Sequence, residues 1–293
     1  MRRLPGDTRG ILLPGGLVEH VDFQRYAAPD ELNGLVDWFW SVRWDLPAGQ
    51  VHSQPLVPQP GVNISVGNGP PPGFHPPAGP YPLRCVVNGV STRRSARVLS
   101  GAGWNLAAKT STGGFGAWVS DVAALTDRVV AAGPLLGIDD ADLAAKCAAG
   151  TLAEGVDRLA TVLIELLSRQ DPDRIAQARE IAAVAEIAAG DRTIRRVEQL
   201  AERAGIGVRT VQRLFAAYAG VPPTYVVRRY RLLEAAELVR DGARVDWAQV
   251  AADLGYADQA HLTRDFTCTI GYSPQAYARA CRHALDAADA AAR

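Results

Sequence analysis

The chain has 293 residues, a formal net charge of zero and 48% hydrophobic residues, enough for more than one folded core. No apolar run reaches the ~18 residues that a transmembrane helix needs. The opening stretch MRRLPGDTRGILLPGG lacks the apolar core of a secretory signal. Cys85, Cys147, Cys268 and Cys281 are far apart, which is typical of thiols in a reducing compartment. We therefore predict a cytoplasmic protein without a metal or other cofactor.

Short extended runs separated by turn signals fill the chain up to about residue 130. They are DWFWSVRW, QPLVPQ, GVNISVG, LRCVVNGVS, ARVLSGAGWNL and GFGAWVS. This pattern predicts β-strands of a compact sandwich or barrel. The prolines of NGPPPGFHPPAGPYP remove donors that an interior strand needs, so this segment is predicted to be a long hairpin loop.

Tryptophans are concentrated in this β-rich region. They fit either a core of large side chains or an aromatic-lined pocket for a small apolar or cationic effector. On the second interpretation the candidate effector-binding residues are Trp38, Trp40 and Trp104.

Residues that could serve catalysis or metal binding are sparse. His20, His52, His75 and Glu19 lack the HxH spacing of a cupin metal site, so no metal site is predicted. Neither a GxSxG nucleophile motif nor a phosphate loop ending in GK[ST] occurs. The sequence therefore does not predict an enzyme.

Alanine-rich helical periodicity begins at about residue 139. A heptad-like stripe follows, formed by Leu152, Val156, Leu159, Leu163 and Leu166. The helix that carries it either packs on its own domain or serves in dimerisation. The segment DPDR then starts a new helix, with Pro172 suited to the first turn, and we place a domain boundary there.

A helix-turn-helix pattern occurs twice in the remaining chain. VEQLAERAGIGVRTVQRLFAAYAGVPPTY is similar to WAQVAADLGYADQAHLTRDFTCTIGYSPQAY, and both place a glycine in the turn. Arg213 aligns with Arg264, and Phe215 aligns with Phe266. A tandem repeat is a stronger signal than a single helix-turn-helix, because many helical hairpins resemble one copy.

The connector between the copies, PPTYVVRRYRLLEAAELVRDG, predicts a helix that ends at Gly242. A helix of about 17 residues spans ~26 Å, close to the ~34 Å between successive major-groove faces. Two recognition helices held this way could contact adjacent groove segments from one chain. Arg228, Arg229 and Arg231 of this helix are predicted to contact phosphate or to form its solvated face.

These residues resemble the C-terminal domain of the AraC/XylS family of bacterial transcription regulators, over roughly 173–283. The most specific match is AADLGYADQAHLTRDFTCTIGYSPQAY. In the N-terminal part FWSVRW, VNGVSTRRSARVL and VAALTDRVV resemble the regulatory domains of such proteins, which implies a cupin-like sandwich. The resemblance implies double-stranded DNA as a partner, and it allows a small-molecule effector, RNA polymerase and a second copy of the chain.

The family pattern implies DNA-binding residues on both recognition helices. They are Arg209, Gln212 and Arg213 on the first helix, and Gln259, His261, Thr263 and Arg264 on the second. Arg can donate two hydrogen bonds to guanine, and Gln can pair with adenine, although phosphate contacts or solvated charges are the alternative. Gly207 stands where the family usually has a Ser cap, whereas Asp258 is expected to cap the second helix.

We predict an α+β protein: an N-terminal β-sandwich or cupin-like barrel, then helices, then an all-α domain with two helix-turn-helix units. The predicted domains are 1–138, a β-rich regulatory domain; 139–171, a helical connector; 173–283, a DNA-binding domain; and 284–293, an Ala-rich tail. The predicted function is activation or repression of transcription through sequence-specific DNA binding. The alternative is a β-barrel enzyme or ligand-binding protein that uses the helical domain for protein interaction.

Overall fold

The computed structural model describes residues 1, 21–56, 59–69, 82–240 and 244–291. The chain divides into two units: Met1–Glu186 with Gln212–Pro222, and Ile187–Val211 with Pro223–Arg293. The predicted α+β architecture, a β-rich N-terminal part followed by helices, is confirmed. Among the described residues, no helix is both long and apolar enough to cross a bilayer.

The first unit contains two antiparallel sheets. The larger has the strand order β1-β2-β7-β4-β5-β8, and the smaller pairs β3 with β6. Their bounds are β1 Val21–Ala27, β2 Val36–Asp45, β3 Val51–Leu56, β4 Asn63–Gly67, β5 Arg84–Asn88, β6 Ser95–Ser100, β7 Ala102–Thr110 and β8 Val129–Ala131. β4 and β5 are consecutive and pair antiparallel, as the hairpin prediction requires, although residues 70–81 of the predicted loop lie outside the described residues.

One face of the larger sheet is covered by helices and forms the core. Helices α1 (Ala132–Leu136), α2 (Asp140–Ala148) and α3 (Leu152–Leu167) follow the last strand. The predicted α3 stripe is buried from Val156 to Leu166, and a Cβ at Gly155 would lie only 2.7 Å from Leu106 Cδ2 of β7. The Trp118 indole N–H donates to the Leu163 carbonyl at 3.1 Å. The stripe therefore packs within its own unit, which is the first of the two alternatives, and a role of this helix in dimerisation stays a prediction.

The segment GFGAWVS is not a strand, contrary to the sequence prediction. Gly114–Ala117 forms a 3-10 turn, and the ring of Phe115 within it lies 6.2 Å from the ring of Trp118, the next residue after the turn, centroid to centroid. A side chain at Gly114 would collide with the Leu35 carbonyl, since a Cβ there would lie 2.3 Å from its oxygen. Glycine thus permits a close backbone approach here, and the aromatic residues pack at a spacing of three rather than alternating.

The rest of the chain is helical. Its helices are α4 Pro172–Gly190, α5 Val197–Ala204, α6 Val208–Leu214, α7 Pro223–Arg240, α8 Trp247–Asp253, α9 Gln259–Ile270 and α10 Pro274–Ala291. A π-turn, Phe215–Ala219, continues α6. The two-unit division falls within α4 and within α6, whereas the sequence places the domain boundary at the start of α4.

Candidate nucleic-acid interface

The first helix-turn-helix consists of α5 and α6. Gly205 lies in the left-handed region with φ 69°, and its N–H donates to the Glu202 carbonyl at 3.1 Å. Glycine adopts this conformation without a Cβ penalty, so it ends α5 and allows the tight turn. On α6 and its continuation the predicted stripe of Val211, Leu214 and Phe215 is buried. Packing of this stripe orients the opposite side of the helix outward.

The second helix-turn-helix repeats this geometry with α8 and α9. Gly255 has φ 70°, and Leu262, Phe266 and Ile270 are fully buried on α9. The predicted Asp258 cap is confirmed: its Oδ1 accepts the His261 backbone N–H at 2.6 Å. The cap satisfies one of the donors that every helix start leaves unpaired.

Aromatic side chains pack together in the second helix-turn-helix. The Trp247 and Phe266 rings meet edge to face at 4.8 Å, centroid to centroid. The Tyr256 hydroxyl donates to the Asp265 carboxylate. Burial, followed by this carboxylate, raises the pKa of Tyr256 above its ordinary value. Tyr256 is therefore a neutral hydrogen-bond donor that connects the turn to the side of α9.

The predicted DNA-binding residues occupy the outer surfaces of the two helices. Arg209, Gln212 and Arg213 are all exposed on α6. On α9, Gln259, His261 and Arg264 are exposed, and Thr263 is half-buried. The His261 ring packs against Tyr256, with 5.1 Å between ring centroids.

Two further exposed residues of α9 were not predicted as candidates for DNA contact. Thr267 and Cys268 lie three and four positions after Arg264 and share its side of the helix. The helical period counted from Arg264 is the signal that could have identified them.

Six arginines of this region form two contrasting sets of three. Arg192, Arg195 and Arg203 form ion pairs of 2.9, 2.7 and 2.8 Å with Glu234, Asp253 and Asp191. By contrast, the guanidinium groups of Arg209, Arg213 and Arg264 form no ion pair or hydrogen bond with the described part of the chain. Arg209, Arg213 and Arg264 thus leave unpaired cations on the outer sides of the two recognition helices, where an anionic partner can reach them.

Arg229 and Arg231 of the linker helix α7 are buried, contrary to the prediction of a phosphate-binding or solvated face, whereas Arg228 is half-buried and its phosphate contact stays a prediction. The Arg228 guanidinium lies 5.1 Å from the Tyr256 ring centroid, and that of Arg229 lies 4.8 Å from the Tyr225 ring centroid. Arg231 is 6% exposed. Burial lowers the pKa of Arg231, and the nearby Glu234 carboxylate opposes this change.

The candidate effector-binding tryptophans do not share one surface. Trp38 and Trp40 lie on one face of β2, whereas the strand register places Trp104 on the other face, which also carries Leu106. Two buried cations accompany Trp38: Arg25 Cζ is 4.6 Å and Lys109 Nζ is 5.0 Å from its ring centroid. The structure thus brings Trp38 and Trp40 together and separates Trp104 from them.

This face of the sheet is polar as well as aromatic. Lys109 Nζ donates to Asp37 Oδ2 at 2.5 Å, and the Trp40 indole N–H donates to Asn63 Oδ1 at 3.3 Å. The Asn105 Nδ2 group is buried without a hydrogen-bond partner among the described residues. A buried, polar sheet face of this kind is typical of a ligand site rather than of an apolar core.

No group of three metal-ligating side chains is found in the described ranges. His52 Nε2 lies 3.3 Å from Gln54 Oε1. His20, His75 and Glu19 lie outside the described residues.

Comparison with known proteins matches two parts of the chain to family models. Residues 200–280 match a helix-turn-helix domain, and residues 24–131 match a domain of unknown function (DUF6597). None of the curated protein sequences matches the chain.

Several solved structures are similar to the chain. The C-terminal domain of AraT, a response regulator from Geobacillus stearothermophilus, is 20% identical with a TM-score of 0.28, over 38% of this chain and 88% of that one. ToxT from Vibrio cholerae is 9% identical with a TM-score of 0.38, over 88% and 98% of the two chains. Unsaturated fatty acid bound ToxT is 14% identical with a TM-score of 0.41, over 82% and 94%.

The tandem helix-turn-helix geometry and the match at 200–280 support the assignment of the chain as a DNA-binding transcription regulator. Its helix-turn-helix domain is of the AraC type, as the resemblance implies.

Proposed function

We propose that this regulator recognises a specific DNA sequence with both α6 and α9, and that its β-rich part modulates the binding by accommodating an effector. The first proposal rests on the contrast between arginines that have an ion-pair partner and arginines that have none. Arg209, Arg213 and Arg264 have no ion-pair partner among the described residues, whereas three neighbouring arginines are paired. Exposed, unpaired guanidinium groups on two repeated helices match the phosphates and guanine edges of DNA.

The two helices offer different chemistry to the bases. On α6, Arg213 can donate two hydrogen bonds to guanine O6 and N7, and Gln212 can pair with adenine N6 and N7. On α9, Arg264 is the equivalent of Arg213, and Gln259 stands at the start of the helix. His261 packs on Tyr256, which favours a phosphate contact or a structural role over base recognition. We therefore assign the larger share of sequence discrimination to α6.

The effector proposal rests on the sheet face that carries Trp38 and Trp40. Arg25 and Lys109 lie against the Trp38 ring, so cations of the protein already take the contacts that this ring would offer a cationic effector. An uncharged or anionic molecule with an apolar part fits this face better. Trp104 lies on the opposite face and is not part of this proposed site.

The remaining predicted partners have less support. RNA polymerase and a second copy of the chain stay predicted partners, without contacts that favour either. A regulator that binds DNA acts where DNA lies, so we place the protein in the bacterial cytoplasm.

The test is selection of genomic DNA fragments by the full chain, followed by affinity measurements at several salt concentrations. We expect selected fragments to share a sequence and affinity to fall steeply with salt, since phosphate contacts release counterions. Arg169 is an exposed arginine two residues after α3, and Arg169→Ala is the matched control for charge, which should leave the affinity unchanged. Binding without sequence preference, or without salt dependence, would contradict the proposal.

A further inference from the structure

Residues 113–126, which we name the clamp, contact the end of the first recognition helix. A Cβ at Gly116 would lie 2.4 Å from Tyr218 Cδ1, so the Tyr218 ring packs directly on the glycine backbone. The Thr126 hydroxyl donates to the Gly220 carbonyl at 2.9 Å. A Cβ at Gly220 would lie 2.9 Å from the Val122 carbonyl oxygen. The clamp thus contacts the helix end through a ring, a hydrogen bond and a close backbone approach.

Helix α4 supports the same helix end. The Tyr218 hydroxyl donates to Gln177 Oε1 at 2.6 Å, and the Tyr218 side chain is buried. Gly113 of the clamp lies against α4, because a Cβ there would be 2.6 Å from Ile181 Cγ2. Arg179 of α4 donates to the Glu31 carbonyl at 3.0 Å. Tyr218 is therefore held between the clamp and a helix that is itself bound to the β-rich part.

The tandem repeat provides an internal comparison for this helix end. The Gly220 N–H donates to the Phe215 carbonyl, five residues back, at 3.1 Å. The equivalent Gly271 N–H donates to the Thr267 carbonyl, four residues back, at 2.8 Å. Both copies have the same spacing from Phe to Gly, so chain length does not explain the π-turn. The π-turn coincides with the clamped residues, and such turns often mark functional sites.

The clamp leaves the DNA-facing side of α6 uncovered. Arg209, Gln212 and Arg213 are exposed while Tyr218 and Ala219 are buried. The contact therefore leaves the proposed DNA-binding surface of α6 accessible. It can influence DNA binding only through the position of the helix.

A short connection joins the clamp to the proposed effector face. Lys109 and Thr110 end β7, and the clamp begins three residues later. Asp37 links the two, because its carboxylate accepts from Lys109 Nζ at 2.5 Å and from the Ser111 hydroxyl at 2.6 Å. A molecule that contacts Lys109 therefore meets the carboxylate that also binds Ser111, two residues before the clamp.

We propose that the clamp is the element through which the β-rich part controls the first helix-turn-helix, an inference that rests on the proposed function. The clamp holds residues 215–220 in the π-turn and so keeps Gln212 and Arg213 oriented towards DNA. An effector that shifts the Lys109–Asp37 pair loosens the clamp, and the turn relaxes to the α-form seen in the second copy. DNA contacts of the first recognition helix are then lost, while those of the second persist.

The test uses the full chain with Gly116→Ala, which pushes on Tyr218, and Thr126→Val, which removes the hydrogen bond to Gly220. Gly190→Ala is the control for the first change, because a Cβ there meets nothing within 4 Å. Thr161→Val, which removes an exposed hydroxyl in α3, is the control for the second. Hydrogen exchange of amides 216–220 and DNA footprints are measured for each variant. Arg213→Ala and Arg264→Ala assign the two parts of the footprint.

We expect both clamp variants to exchange amides 216–220 faster, and the part of the footprint assigned to α6 to weaken by about threefold to tenfold, the range for one hydrogen bond. The part assigned to α9 and both controls should match the wild type. Unchanged exchange at 216–220 in both clamp variants would overturn the inference, as would equal weakening of both footprint parts. Failure of the proposed function is distinct: the wild type would then select no DNA, while the exchange data would still decide whether the clamp holds the helix.

Discussion

The Arg231 guanidinium donates a 2.6 Å hydrogen bond to the carbonyl oxygen of Ala188, at the end of α4. It also donates to the carbonyls of Ala189 and Asp191, at 3.2 and 3.1 Å. The last carbonyls of a helix have no partner within the helix, so a buried side-chain donor replaces the water that they would otherwise bind. One arginine therefore fastens the linker helix to the segment that leads into the first helix-turn-helix.

Arg231→Met should lower the free energy of unfolding by about 2–4 kcal/mol, because several buried carbonyls lose their donor. Arg192→Met is the matched control, since Arg192 also pairs with Glu234 but is 69% exposed. Its cost should stay below ~1 kcal/mol, as for surface ion pairs. Thermal unfolding of both variants checks this, and equal melting temperatures would contradict the anchoring role.

Arg213→Ala and Arg264→Ala should each weaken binding to a selected DNA fragment by ~1–3 kcal/mol and relax the preference at one base position. Gel-shift titrations on the selected sequence and on single-base variants provide the measurement. Uniform weakening on all sequences would instead assign the residue to phosphate. We expect the clearer loss of specificity for Arg213, because Gln212 lies beside it on α6.

The starts of the two recognition helices differ in capping. Asp258→Ala should destabilise the protein by ~1 kcal/mol through loss of the hydrogen bond to His261. Gly207→Ser should stabilise it by a few tenths of a kcal/mol, since a Cβ at Gly207 meets only Thr210 Oγ1, at 3.9 Å. Denaturant unfolding of the two variants measures both effects, and destabilisation by Gly207→Ser would show that this position needs glycine.

Because two of its thiols are buried, the folded protein is expected to lose stability at alkaline pH. Burial raises the pKa of Cys85 from 9.0 to about 12 and that of Cys147 from 9.0 to about 11. Because both folded-state values exceed the unfolded ones, the stabilisation is complete below ~pH 9 and is lost as the pH rises through ~11–12. Melting temperatures should therefore fall between pH 9 and 11, and Cys85→Ala should flatten this fall. An identical slope in Cys85→Ala would remove Cys85 as a cause.

Cys268 is the exposed thiol among the four cysteines, and it lies on α9 one turn after Arg264. A maleimide reagent should label Cys268 in the folded protein and reduce DNA binding, because the adduct stands on the proposed DNA-facing side. Peptide mass mapping identifies the labelled residue. Cys268→Ser provides the control: it should bind DNA normally and resist inhibition. Full DNA binding by the labelled wild type would place Cys268 away from the DNA.

The repeat and its local geometry were predictable because they depend on short-range rules. Glycine at 205 and 255 ends a helix in the left-handed conformation, and Asp258 caps the next one, as the residue types require. The prediction of a strand at GFGAWVS was wrong, because the apolar residues of a short run fit a strand or a turn equally well. The sequence did not predict strand β1, because apolar and polar residues do not alternate strictly in VDFQRYA. Its extended conformation depends on the continuous pairing with β2.

The sequence by itself determined the two helix-turn-helix units, their buried stripes and the exposed residues Arg209, Gln212, Arg213 and Arg264, since helical periodicity and turn chemistry act within a few residues. Only the tertiary structure decided which tryptophans share a face, that Arg229 and Arg231 of the linker helix are buried, and that the clamp contacts Tyr218 and Gly220. Those relations join residues tens to more than a hundred positions apart, as between Gly116 and Tyr218. Strand pairing and packing set such contacts, and local residue preferences carry no information about them.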